Sequence, residues 1–509
     1  MVTILKNKEQ QFFANVRHLT YRKGVFNILR GLEGGQYRPL SDEDIKKIHE
    51  SSVNILEDPG MKVTSSEALK VFADNGADVD FDTGMVKISR SMLEDALKKA
   101  PSKVVLYGRE EKNDLTLEGK RTHMGTGGTV LDVLDMDSGK KRKATLKDLR
   151  NIARLVDALD NIHFFMLPIY PEEVEGHNVD VNRFWLGLQN TTKHIMGGVY
   201  SAQGIRNVIS IAEEIAGSPE ALREKPFISM VTCIMSPLVM DKTYTELLME
   251  VARQGIPLVC PAEPLAGATG PCTLAGNIAV SNAETLSGIV LAQLVNPGTP
   301  TIYGTVSTAM DMKTGSYLSG NIEMGLINAA SAQMAQFYEI PIYATAGMSD
   351  SKMPDVQAGY EKMATSMITA LAGANYIHDS AGFLEFCTMF SYEQLIIDNE
   401  INGMCMRAVK GVDVNEDTLA EEVTRKVGAG GNFLTQPHTL QHCRNEFYLP
   451  TLSDRNFRKE WEKQGGKDAT ERARDMAKSL LETHEPKGLD DKVYEVIKPK
   501  YDEMGIIEP

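Results

Sequence analysis

PTIYGTVSTAMDMKTGSYLSGNIEMGLINAASAQMAQFYEIPIYATAG, residues 300–347, carries one complete unit of the fold. Its first seven residues, PTIYGTV (300–306), form a short apolar run with β-branched side chains. A polar, glycine-containing loop follows, then a helical stretch starting near Ser319, then a second apolar run, PIYATAG (341–347). Neither run alternates apolar with polar residues. A strand that is apolar on both faces must be covered on both faces, the mark of a parallel sheet wrapped by helices.

Outward from this stretch the alternation recurs. The runs are RTHMGTGG (121–128), IHFFMLP (162–168), HIMGGVY (194–200), FISMVTC (227–233), PLVCPAE (257–263), PTIYGTV, PIYATAG and ANYIHDS (374–380). Helices are expected to start near Thr145, Val179, Ala202, Lys242, Leu274, Ser319, Pro354 and Ser391. Strand–helix units in this number predict an α/β chain with a (β/α)8 TIM barrel. The alternative is an open doubly wound sheet. Its glycine-rich turn would be Gly125-Thr126-Gly127-Gly128, which lacks the GxGxxG spacing of a dinucleotide cradle.

The flanks differ. Residues 1–40 read as a polar, basic arm. SDEDIKKIHESSVNILED (41–58) has an N-cap serine, early acids and helical apolar spacing. Helices over 67–76 and 91–100 and strands over 85–89, 103–108 and 114–119 complete an accessory α+β region within 1–120. Residues 121–410 make the barrel. Residues 411–509 are expected as a helical extension packed on it or engaged in a subunit contact. Within them His438, His442 and Arg444 read as structural.

Composition narrows the function. Net charge is −15, which argues against nucleic acid, whose phosphates need a concentrated basic surface. No secretory signal and no run of 18 apolar residues are found, so a cytoplasmic enzyme without a membrane span is expected. The six cysteines contain no CxxC pair and read as reduced, mostly buried thiols. Most of the 25 methionines are expected to be packing.

Catalytic groups of such barrels sit at the C-terminal strand ends. These ends offer Thr126, Gly127 and Gly128; Met166 and Tyr170; Tyr200; Cys233; Cys260 and Glu263; Tyr303 and Thr305; Met348, Ser349 and Asp350; and His378, Asp379, Phe383 and Phe386. A zinc site wants three closely spaced ligands, yet His378 and Asp379 are adjacent and point apart, and no histidine accompanies Cys233 and Cys260. No nucleophile elbow supports a Ser–His–Asp triad. Gly347 and Gly382 make no convincing phosphate cradle, and Lys352 reads better as a solvated loop lysine than as a Schiff base. An uncharged rim of Tyr, Phe, Met and Thr remains. It suits a methylated cation, held by aromatic faces at about 0.5–2 kcal/mol each, although tyrosines at strand ends are commonly plain packing.

HMGTGGTVLDVLD (123–135), AEPLAGATGPCTLAGNIAVSNAETLSGIVLAQLVNPGTP (262–300), AGMSDSKMPDVQAGYE (346–361) and GAGGNFLTQPHTLQHCRNEFYLPTLSDRNF (428–457) together resemble the trimethylamine methyltransferase family, corrinoid-dependent enzymes of methanogens and anaerobic bacteria. The resemblance implies a barrel, usually oligomeric. It also implies that AGMSDSK surrounds the position where members acting on trimethylamine carry pyrrolysine, here Met348. Methionine has no electrophile to capture an amine. Members lacking pyrrolysine demethylate quaternary amines such as glycine betaine, proline betaine, carnitine or γ-butyrobetaine and pass the methyl group to Co(I) of a corrinoid (cobalamin) on a separate protein; no metal of the enzyme's own is expected.

A quaternary ammonium is already activated, since methyl loss leaves a neutral amine; no acid, base or metal is required, only alignment and exclusion of water. A carboxylate pressed against the cation would favour substrate over transition state. The expected substrate contacts are Tyr170, Tyr200, Tyr303, Met348 and Phe383, with His378, Thr126, Gly127 and Gly128 as donors to a betaine carboxylate. Met348, Glu263 and Asp350 are expected to orient the site, the two acids directly or toward the corrinoid partner.

Overall fold

The computed structural model describes residues 31–507, so most of the expected N-terminal arm lies outside the described residues. Eight parallel strands form the barrel: β1 (Arg121–Met124), β2 (Phe165–Met166), β3 (Ile195–Gly198), β4 (Ile228–Val231), β5 (Leu258–Ala262), β6 (Thr301–Thr305), β7 (Ile342–Thr345) and β8 (Tyr376–His378). Strand β8 pairs with β1 in the register Tyr376↔His123 and Ile377↔Met124. Between β1 and β2 the ring is joined by the His163 amide donating to the Met124 carbonyl at 2.8 Å. Each strand is followed by a helix: α1 (Leu146–Ala158), α2 (Val179–Asn190), α3 (Ala202–Ala216), α4 (Lys242–Gln254), α5 (Leu274–Val295), α6 (Ile322–Phe337), α7 (Val356–Leu371) and α8 (Tyr392–Lys410). The fold is the (β/α)8 barrel that the apolar runs predict.

Local chemistry fixes the helix starts. Thr145 and Asp148 cap α1 reciprocally, Asp241 caps α4 and Asp355 caps α7. Helix α6 begins at Ile322 rather than near Ser319, because the Ser319 and Gly320 amides are taken by the carboxylate of Asp350. Helix α5 is long and apolar enough to cross a membrane, but it lies buried, packed on the barrel and on the accessory helices Asp42–Glu57 and Arg90–Lys99.

The barrel has two apolar layers. Inside, Phe164, Met166, Met196, Val231, Val259, Ile302, Tyr343 and Tyr376 cluster with Val104, Leu106, Leu115 and Leu117 of the hairpin Lys103–Leu106/Leu115–Glu118. That hairpin plugs the N-terminal end: the Tyr107 amide donates to the carbonyl of Pro226, just before β4, at 3.0 Å. Outside, the remaining strand residues pack against the helices. The C-terminal strand ends carry no such plug among the described residues. On the C-terminal side, helix Ala469–Thr483 packs on α8 and α1.

Candidate active site

A column of rings climbs through the interior to the open end. Phe164 stacks on Tyr376 with centroids 3.5 Å apart, Tyr376 on Tyr343 at 5.7 Å, and Tyr343 on His378 at 3.8 Å. The Tyr343 hydroxyl donates to Sδ of Met166 at 3.4 Å. At the top, His378 shares a short hydrogen bond with the Thr345 hydroxyl through Nε2. Its Nδ1 lies 2.9 Å from Oδ2 of Asp379, a close contact without hydrogen-bond alignment.

Asp379 is held in an unusual backbone conformation, φ +62°, which a non-glycine residue adopts only at a cost of about 1–2 kcal/mol. What holds it is the β1 loop. The Gly128 amide donates to Asp379 Oδ1 at 2.7 Å. A Cβ on Gly127 would stand 1.7 Å from the same oxygen, so only glycine fits there. The turn Glu385-Phe386-Cys387 is strained likewise, with φ of 52°, 58° and 57°. Bonds from the Glu385 amide to the Ser351 carbonyl (2.7 Å) and from the Phe386 amide to the Ser349 carbonyl (3.2 Å) hold it, and the Lys352 ammonium rests 4.3 Å over the Phe386 ring. Runs of strained residues of this kind gather at functional sites.

From two groups at the strand ends we infer a recess between these loops. Glu263, at the end of β5, and Cys233, at the end of β4, keep accessible surface. The surrounding protein nevertheless desolvates both. Burial, reinforced by the charge of Asp379, pushes Glu263 up to about 7 against the opposing hydrogen bond from the Tyr317 hydroxyl. Burial, reinforced by Glu263, pushes the Cys233 thiol up to about 12. Groups open to solvent yet strongly desolvated line a concave site. Tyr317, Tyr343 and Cys387, all within electrostatic reach of Glu263 and Asp379, are raised well above their usual values by burial, so they stay neutral at physiological pH. Tyr170 and Tyr200 meet edge-to-face at 5.9 Å on the rim of β2 and β3, with the Arg183 guanidinium 5.7 Å from the Tyr200 ring.

The expected site residues separate accordingly. Glu263, Tyr170 and Tyr200 reach the recess or its rim. Tyr303 does not: it points outward from β6, donates to Asn282 of α5 and stacks near Tyr338, while Ile302 takes the inward place. Phe383 is core packing against Phe390. Thr126 stitches two strands, its hydroxyl donating to the Met166 carbonyl at 2.7 Å. The Gly128 amide is taken by Asp379 and Gly127 serves by lacking a Cβ, so both support Asp379 rather than a substrate carboxylate, while His378 is bonded through Nε2 to Thr345 and keeps Nδ1 beside Asp379 without an aligned bond. Met348 is 1% exposed and packs in the outer apolar core, with no surface to offer a ligand. Asp350 acts at one remove: it accepts from the Ser319 amide and hydroxyl and the Gly320 amide, at 2.7–3.1 Å, and so pins the loop that presents Tyr317.

Tyr317, Tyr343, Tyr376 and Cys387 lie within electrostatic reach of Glu263 or Asp379 and escape the sequence reading. Tyr317 sits in the irregular GSYLSG loop (315–320), where no periodicity exists to assign it. Tyr343 and Tyr376 lie in strands β7 and β8, where an unbroken apolar run does not reveal which residues point inward.

An aromatic, acid-bearing recess at the C-terminal end of a barrel lies where barrel enzymes place their active sites. The sequence matches the trimethylamine methyltransferase (MTTB) family over residues 18–502. It is 39% identical over 479 residues to the trimethylamine methyltransferase MttB of Desulfitobacterium hafniense strain DSM 10664 / DCB-2, covering 93% of this chain and 96% of that protein. It is 35% identical over 459 residues to the glycine betaine methyltransferase of D. hafniense strain Y51, covering 90% and 95%. Among solved structures, the Methanosarcina barkeri monomethylamine methyltransferase (MtmB) superposes with a TM-score of 0.48 at 12% identity, over 91% of this chain and 99% of that one. The chain belongs to the trimethylamine methyltransferase family and is a methyltransferase.

Proposed function

We propose that this enzyme takes a methyl group from a quaternary amine of the betaine type and delivers it to Co(I) of a corrinoid carried by a separate protein, the corrinoid being the second substrate. The observation that carries the reading is Met348. It stands where the resemblance places pyrrolysine, and it is apolar, buried and without an electrophile. A tertiary amine would have nothing to capture it; a quaternary amine needs no capture.

The recess supports this chemistry. Tyr170 and Tyr200 offer aromatic faces to an ammonium. Burial raises Glu263 to about 7, and its neutral form avoids the ground-state stabilisation that a fixed carboxylate would give the cation. The Tyr and Cys groups around it are neutral, so the walls neither donate nor withdraw a proton during transfer. The residues' work is to orient one N–CH3 bond toward the open end and to keep water from it. The same reading includes a cytoplasmic enzyme that assembles with itself; exposed apolar side chains at Val412, Val414, Phe447, Leu449 and Phe457 support self-assembly.

The test is incubation with Co(I) cobalamin and a panel of glycine betaine, proline betaine, carnitine, γ-butyrobetaine and trimethylamine, following methyl-Co(III) by absorbance. Methylation from at least one quaternary amine is expected. Activity on trimethylamine alone, the substrate in the name of the D. hafniense MttB relative, would overturn the reading.

A further inference from the structure

Residues 411–451 fold into helices Glu416–Leu419, Glu421–Val427 and Pro437–Glu446, yet no side chain in this segment is buried. A stretch of this length without its own core needs another source of order, and small elements of this kind are commonly stapled by a disulfide or a metal. Its one cysteine, Cys443, has no disulfide partner.

The segment does hold a set of metal-ligating side chains. His438 and His442 are one turn apart on helix Pro437–Glu446, so their rings share a face, with centroids 4.2 Å apart. Asp417, from the separate helix Glu416–Leu419, completes a set whose ligand atoms all lie within 4.8 Å of one another. The Nε2 of His442 is 3.1 Å from Asp417 Oδ2 but lacks hydrogen-bond alignment, a buried ring nitrogen left without a proper partner. The Nε2 of His438 is 3.0 Å from the Asp417 backbone carbonyl, the kind of contact that orients histidine ligands.

We propose that Asp417, His438 and His442 bind one zinc-class divalent cation that ties the two helices together. Two imidazoles and a carboxylate are a zinc-type donor set, with water as the fourth ligand. Tetrahedral coordination at about 2.0–2.1 Å sets neighbouring ligand atoms about 3.3 Å apart, so the observed spread closes by small side-chain rotations. Calcium and magnesium, which take oxygen ligands, do not suit it. The site is remote in sequence from the barrel ends and does not depend on the methyl-transfer reading.

The test uses the full chain, stripped with chelator and titrated with zinc chloride by calorimetry, beside a Cys443→Ser control and a double variant, His438→Gln with His442→Gln. Both histidines are half-buried, and an unchanged melting temperature in chelator confirms that the variant folds. One equivalent of zinc should bind to the parent and to Cys443→Ser, at least about tenfold more tightly than to the double variant. Zinc should also slow tryptic cutting at Arg425 and Lys426 in the parent and in Cys443→Ser, but not in the double variant. Equal affinity in the double variant, or zinc without effect on cutting, would overturn the proposal.

Discussion

Lys362 of α7 and Asp398 of α8 form an ion pair at 2.9 Å in which neither side chain has accessible surface. The pair sits beneath the site loops: the Lys362 ammonium donates to the Gly347 carbonyl, and Asp398 Oδ2 accepts from the Gly382 amide at 2.7 Å. Removing one member of a buried pair costs about 3–5 kcal/mol, because the survivor is left uncompensated. Lys362→Met should therefore be severe. Unfolding entropy of about 2.1 cal/mol/K per residue over 509 residues is about 1.1 kcal/mol/K, so the expected loss in melting temperature is about 3–5 °C. Burial raises the Asp398 carboxyl and the Lys362 charge opposes that rise. With the lysine gone, the folded-state value lies further above the unfolded one. Such a group destabilises the fold increasingly as pH rises above its ordinary value of 3.8, so the deficit should be larger at neutral pH than near pH 4. Adding Asp398→Asn, which still accepts from Gly382, should recover at least about half of the loss. Calorimetry at one scan rate measures all three variants. A Lys362→Met protein within about 1 °C of the parent, or a double variant no more stable than the single, would refute the reasoning.

Other expectations follow from the recess. Glu263→Gln removes a group that titrates near 7, so the dependence of substrate affinity on pH between about 6 and 8, measured by calorimetry, should flatten; an unchanged profile would place that titration elsewhere. Tyr200→Leu should weaken binding of tetramethylammonium by roughly 2–30-fold, the equivalent of about 0.5–2 kcal/mol for one aromatic face. Gly127→Ala drives a Cβ into Asp379 and should abolish turnover, with a smaller effect on the melting temperature. Met348→Leu conserves core volume and should leave stability within about 1.5 kcal/mol and activity nearly intact, whereas Met348→Ala should cost about 2–5 kcal/mol by opening a cavity.

The barrel is legible because parallel strands covered on both faces must be continuously apolar. PTIYGTV and PIYATAG become β6 and β7 within a residue or two, and α2, α3, α4 and α5 start at Val179, Ala202, Lys242 and Leu274, as expected. The same property hides the orientation of each side chain. In an alternating strand, polarity tells inside from outside; in TIYGT it does not. Ile302 faces in and Tyr303 faces α5, although Tyr303 reads as the better ligand wall. In β7 and β8 the tyrosines face inward instead. Continuity announces the strand and erases its parity.

The site is less legible for a second reason: its partners are far apart in the chain. Asp379 is positioned by Gly128, 251 residues away, and Glu263 by Tyr317 in the following loop, itself fixed by Asp350. No local spacing encodes such pairs, because barrel closure makes them. Asp350 looks like a reactive acid at a strand end, yet its lone pairs are spent on the amides of the neighbouring loop, as a buried carboxylate requires. Met348 shows the opposite case. Its place just past β7 is clear from the sequence, while its burial is seen only in the structure. On the proposed betaine reading the catalytic demand falls on Glu263 and on the aromatic rim, and a carboxyl raised to about 7 by burial suits a cation about to lose its charge.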